Sequence, residues 1–117
     1  MANQKRNDKM KARLDLPERV DSFNFEGFVA EIETRLASAK EPVTLNMNDT
    51  RFISLPFIKK LAQMAHNERS AGRVLRLLNP SEKVKKQIGI FADLNLFEIE
   101  RRPSMRGWPE LGGSADF

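Results

Sequence analysis

The chain has 117 residues, 40% of them hydrophobic and 31% charged, with a formal net charge of +4 and no cysteine. That length fits one domain, the balance is that of a soluble globular protein, and no apolar run is long enough to cross a bilayer. Residues 1–13 are polar and basic with no apolar stretch behind them, which is not a secretory signal; without thiols, disulfides and thiolate metal sites are excluded, and the expected compartment is the cytoplasm.

The positive charge is unevenly placed. Lys5, Arg6, Lys9, Lys11 and Arg13 face one acid, Asp8, in the first 13 residues, whereas residues 14–100 are close to neutral. A nucleic-acid binder would carry its basic face on the fold itself, so a nucleic-acid partner is not expected. Residues 1–12 read as a disordered basic arm, residues 13–100 as the domain, and residues 101–117 as a tail whose bulky anchors are Trp108, Leu111 and Phe117.

Arg13 to Leu16 is a short strand closed by Pro17, and Val20 belongs to a second short strand or to the turn after it. Phe25, Phe28, Val29, Ile32 and Leu36 form one apolar stripe and predict a helix over 24–39, capped by Asn24 or Ser22. Val43 to Met47 alternates as a half-buried strand does, and Asn48-Asp49-Thr50 is a turn. Ser54-Leu55-Pro56 opens a second helix reaching Ser70, because proline is tolerated in a first turn. Phe57, Ile58, Leu61, Met64 and Ala65 are its stripe, and Gly72 suits the left-handed position past its end.

Residues 73–78 predict a third strand. Asn79-Pro80-Ser81-Glu82 reads as an asparagine-capped box with Pro80 at the first helical position, and Val84, Ile88 and Phe91 line one face of the helix it starts. Leu96 to Ile99 is a last strand. Strands alternating with helices predict an α/β fold with a largely parallel sheet, its core including Phe28, Ile32, Leu45, Leu61, Leu75, Leu77, Val84 and Ile88.

Four segments in this order resemble the sulphate-transporter and anti-sigma-factor-antagonist (STAS) domains. Val43 to Asp49 resembles that family's central strand ending on an aspartate. Thr50-Arg51-Phe52-Ile53, with the helix through Leu61-Ala62, resembles the segment around its phosphorylation site. Gly72 to Ser81 resembles its third strand and turn, and Val84 to Ile99 its last helix and strand. The resemblance implies a STAS-like α/β fold, with a mixed sheet of four to five strands and three to four helices.

One departure bears on mechanism. Family members start the second helix with Asp-Ser-Ser/Thr-Gly or similar, and a kinase partner phosphorylates a hydroxyl there. This chain has Ser54-Leu55-Pro56-Phe57 instead, so the phospho-switch does not carry over. Ser54 has two readings: an N-cap satisfying an orphan amide of the helix, or a displaced phosphoacceptor. Phe57 fits the core stripe and Leu55 fits it less well, so at least one of them is read as a surface contact. Asp49 reads as a turn residue bonding its own backbone or as a metal or nucleotide ligand. His66 reads as structural, and no nucleophile-activating constellation is legible. Lys83, Lys85 and Lys86 form a solvated face or meet an acidic partner, and Trp108 is a latch on the domain or an anchor for a partner.

The expected activity is therefore non-enzymatic docking in a bacterial signalling system, with no cofactor or metal. The expected face is Asp49, Arg51, Ser54, Leu55, Pro56, Phe57, Lys59, Lys60 and Lys83. The resemblance implies as partner an anti-sigma or histidine-kinase-like ATPase, another STAS protein, or a second copy of the chain. Rival readings are an auxiliary subunit of a lipid or solute ABC transporter and a nucleic-acid-associated protein using its basic arm.

Overall fold

The structure, a computed structural model, describes residues 12–102. The basic arm, Trp108 and most of the tail thus lie outside the described residues.

The chain runs β1 (Arg13–Asp15), β2 (Arg19–Val20), α1 (Phe25–Ser38), β3 (Thr44–Asn46), β4 (Phe52–Ile53), α2 (Leu55–Ser70), β5 (Leu75–Leu78), α3 (Glu82–Phe91), a 3₁₀ turn (Leu94–Leu96) and β6 (Phe97–Glu100). β1, β3, β5 and β6 form one sheet in that order, and β2 and β4 form a separate two-stranded ladder. Within the expected α/β class, every strand pair is parallel rather than mixed. A parallel neighbour needs a crossover, and each helix supplies one: α1 before β3, α2 before β5, α3 before β6.

The register aligns Leu14, Leu45, Leu77 and Ile99 in one row across the sheet. Successive side chains of a strand point to opposite faces, so the flanking rows Arg13–Thr44–Arg76–Glu98 and Asp15–Asn46–Leu78–Glu100 face away from the helices. That outer face is laced with polar contacts. Arg76 pairs with Glu98, and Asn46 Nδ2 donates to Asp15 Oδ1 at 3.0 Å. The Asn46 amide, and then Arg13, hold the Asp15 carboxyl below the usual range against the opposing effect of burial.

On the inner face α2 packs against both α1 and α3. Phe57, Ile58, Leu61, Met64 and Ala65 are buried, and Val29, Ile32, Val84 and Ile88 complete the core with Leu45, Leu75 and Leu77. Of the expected core only Phe28 is partly exposed, packed at its edge.

Several caps differ from expectation. Neither Asn24 nor Ser22 caps α1: Asn24 occupies the cap position, but its Oδ1 accepts from the Asp21 amide at 2.8 Å, while Asp21 Oδ1 accepts from Phe23 and Asn24 N–H. α3 is capped by Ser81, whose Oγ accepts from Val84 N–H at 3.1 Å. Asn79 instead adopts φ 54° and grips Arg102, accepting its N–H at 2.7 Å and donating to its carbonyl at 2.9 Å. Phe91 is 53% exposed rather than core, because it ends the short helix just beyond its buried stripe. Gly72 follows α2 at φ +82°, as expected.

One ion pair with a buried carboxylate and a half-exposed guanidinium was not legible in the sequence. Glu68 continues the α2 stripe, and its side chain is only 8% exposed. The Arg73 guanidinium donates to both carboxylate oxygens, Nε to Oε1 at 2.9 Å and Nη2 to Oε2 at 2.9 Å. Arg73 N–H also donates to the Glu68 carbonyl at 2.8 Å, so one pair fixes the turn from α2 into β5. Removing the arginine strands a carboxylate away from water, whereas removing the carboxylate frees a guanidinium that is 40% exposed. Arg73→Met is therefore expected to cost about 2–4 kcal/mol and Glu68→Gln about 1 kcal/mol; urea denaturation reads both, and the reverse order would refute this account.

Gly89 lies inside α3 with ordinary helical φ, and a Cβ there would meet Leu94 side-chain atoms at 3.6–3.7 Å, which is normal contact. Gly89→Ala is expected to stabilise the fold by about 0.5–1 kcal/mol through backbone entropy, measured as a higher denaturation midpoint.

Candidate functional site

All four strands of the main sheet end at one end of the molecule, and the expected docking residues gather there. The 47–50 turn is closed by Thr50 N–H donating to the Met47 carbonyl at 3.0 Å. Asn48 N–H donates to Asn46 Oδ1 at 3.1 Å, and the buried Thr50 hydroxyl donates to the Leu16 carbonyl at 3.4 Å. Asn46, not Asp49, is thus the acceptor that shapes the turn. The Asp49 carboxylate is exposed and accepts from the Asn48 side chain at 3.3 Å, because Asn46 already occupies the backbone donor.

The β2–β4 ladder extends this end beyond the main sheet. Val20 pairs with Ile53, Ser54 N–H donates to the Val20 carbonyl at 2.8 Å, and Arg51 N–H donates to the Glu18 carbonyl at 2.8 Å. Arg19 stacks its guanidinium 4.7 Å above the Phe52 ring. From α3, Gln87 Oε1 accepts from Ile53 N–H at 3.3 Å. β4 is therefore held from both sides, and it aims the start of α2.

There the four substituted positions separate. Phe57 is fully buried, so it is not a contact residue: three positions into α2 its side chain falls on the core stripe. Leu55 is 38% exposed, and Pro56 is exposed beside it. Arg51, Lys59 and Lys60 are also exposed, and so is Lys83 at the start of α3, which begins at the same end because β5 ends there.

Ser54 sits at the α2 cap position with extended backbone, yet its side chain makes no cap bond. Its Oγ is buried and has no hydrogen-bond partner. The expected capping bond is absent, and the hydroxyl has no surface from which to attack a phosphoryl donor. The backbone just past β4 holds Ser54 there, its N–H donating to the Val20 carbonyl at 2.8 Å, with the side chain buried.

Phe23 was missed. It is 95% exposed and follows β2 as Leu55 follows β4, so both crown the same end. The signal was in the sequence, since Phe23 stands off the α1 stripe just before the cap position. A staple would have packed it on Phe28; its exposure excludes that. His66 is exposed on α2. Among the described residues no group of three or more His, Cys, Asp or Glu is arranged to hold a metal, and no helix is long and apolar enough to cross a membrane.

A working N-cap loses about 1 kcal/mol on replacement by alanine. Because the Ser54 hydroxyl is buried without a partner, Ser54→Ala is expected to leave stability unchanged or to raise it, as removing an unsatisfied polar group does; a loss near 1 kcal/mol in urea denaturation would restore the cap.

No family model matches the chain, and neither does any curated protein. Among solved structures it is similar to the murine Solute Carrier 26 family member A9 anion transporter in the inward-facing state, with a TM-score of 0.61 and 17% identity. The match covers 87% of this chain and 17% of that one, so the chain spans about a sixth of the transporter's length. At that identity the likeness is one of fold alone.

Proposed function

We propose that this chain is a non-enzymatic, STAS-like docking module of a bacterial regulatory system, binding through the end of the sheet that carries Asp49, Arg51, Leu55, Pro56, Lys59, Lys60 and Lys83, with Phe23 added. The observation behind this reading is the start of α2. An apolar Leu55–Pro56 pair stands at the surface with cationic side chains around it, and the one hydroxyl in the segment is buried. A surface built this way suits a persistent contact more than a phosphorylation-controlled one. Proline stiffens the segment and lowers the ordering cost of binding, and an apolar centre with a polar rim is the usual anatomy of an interface. The partner class is a histidine-kinase-like ATPase, another STAS protein or a second copy of the chain, and the site of action is the cytoplasm.

A second reading draws on the fold neighbour, which is an anion transporter: the chain acts as an auxiliary subunit of a membrane transporter, here of the lipid or solute ABC type. Affinity purification from the source bacterium separates the two by the partner recovered. Binding through the basic arm to nucleic acid predicts instead a complex that dissociates with moderate salt.

Leu55→Asp tests the face itself. Aspartate is favourable in a first helical turn and Leu55 lies outside the core cluster, so circular dichroism and melting are expected to stay close to the parent. Burying a leucine contributes about 1.5–3 kcal/mol, so the Kd for the recovered partner is expected to rise about tenfold to a hundredfold. An unchanged Kd removes this face from consideration.

A further inference from the structure

Helix α2 carries Leu55 at one end of the fold and Arg69 at the other. Beside Arg69, where β3, β5 and β6 begin, lies an open cavity of about 690 Å³. Lys40 and Pro42 line it from the loop after α1, Arg69, Arg73 and Val74 from the passage between α2 and β5, and Phe97 and Glu98 from the start of β6. Its charges do not cancel. Glu98 is paired with Arg76, and Arg73 with Glu68, so both pairs are neutral. Arg69 meets carbonyls rather than a carboxylate, Nε donating to that of Leu96 at 3.4 Å and Nη2 to that of Asn95. Lys40 is exposed and has no ion-pair partner among the described residues. Two positive charges are therefore uncompensated at the cavity.

Donors remain as well. Arginine carries N–H groups on all three guanidinium nitrogens, and Arg69 and Arg73 bond through Nε and Nη2, leaving Nη1 unengaged among the described residues. The free carbonyls at a helix C-terminus repel anions. Here they are taken: the carbonyls of Asn67, Glu68 and Arg69 accept from Ala71, Arg73 and Gly72 N–H at 3.1, 2.8 and 3.0 Å. The remaining wall is apolar, with Phe97 buried and Pro42 and Val74 half-buried.

We propose that this cavity binds an organic phosphate monoester, with the phosphate on Lys40, Arg69 and Arg73 Nη1 and the apolar body against Pro42, Val74 and Phe97. A phosphate monoester carries close to two negative charges at neutral pH and offers three strong acceptor oxygens. That matches two uncompensated cations and spare donors on three side chains, and charge-assisted bonds of this kind are the strong ones. The cavity lies at the far end of α2 from Leu55, so this site and the docking face stand or fall independently.

The test is a titration of the isotope-labelled full chain with phenyl phosphate, followed by NMR. The amides of Gly72, Val74 and Glu98 are expected to shift saturably while those of Leu55 and Lys59 hold. Inorganic phosphate lacks the apolar body and benzoate the second charge, so each is expected to bind about tenfold more weakly. Lys40→Met, at an exposed position past α1, is expected to raise the Kd for phenyl phosphate about tenfold with circular dichroism and the denaturation midpoint unchanged. Lys86→Met, on α3, is expected to leave that Kd as it is. Vesicles containing phosphatidic acid separate the sources of the group: sedimentation of the chain that phenyl phosphate reverses supports a lipid headgroup, and chain left in solution supports a soluble monoester. The absence of saturable shifts at millimolar phenyl phosphate would overturn the proposal. So would shifts that ignore Lys40→Met, or benzoate and inorganic phosphate binding as tightly as phenyl phosphate.

Discussion

Parallel register is the constraint on which this structure depends. Aligning Leu14, Leu45, Leu77 and Ile99 in one row makes a single apolar face, and only a layer of helices can cover it. Each parallel pairing also requires a crossover, so the connections that satisfy the topology are the helices that bury the row. α2 is the central one, packed between α1 and α3, with its stripe from Phe57 to Ala65 pressed into the core. The opposite face is left to charged and amide side chains that bond along and across the strands, such as Asp15 with Asn46 and Arg76 with Glu98.

The same topology concentrates chemistry at one end. All strands finish there, and the β2–β4 ladder adds a short platform stabilised by Arg19 over Phe52 and by Gln87 from α3. Helix geometry then sorts consecutive residues. Phe57 and Ile58 point into the core, Leu55 and Pro56 stay at the rim, and the Ser54 side chain is trapped behind them. A hydroxyl in that position has neither a bonding partner nor access to solvent.

Local fixed points hold this arrangement. Glu68 and Arg73 lock the passage from α2 to β5, and Asn79 in its left-handed conformation ties the end of β6 to the turn after β5. The second of these also brings the residues after β6 beside the N-terminus of α3, where Arg101 donates to Glu82.

Much of the fold was legible in the sequence because it rests on periodicity. The stripes Phe25–Leu36 and Phe57–Ala65, the alternation of Val43–Met47, and Gly72 after α2 are local patterns that only one secondary structure satisfies, and their order implies the α/β class. The proposed contact face was legible only as a run of residues, Ser54-Leu55-Pro56-Phe57, and not as to which of their side chains reach solvent. The release of Asn79 from the α3 cap, the burial of Glu68, the orphaned Ser54 hydroxyl, and the exposure of Ile90 and Phe91 became visible only in the tertiary structure. Ser54 and Asn79 depend on segments far away in the chain, Val20 and Arg102, whereas Glu68 is paired by Arg73 five residues on, across the turn out of α2. A residue's own neighbours in sequence determine its secondary structure and the face it prefers, but whether that face meets water, a partner or the core is settled only when strands far apart in the chain come into register.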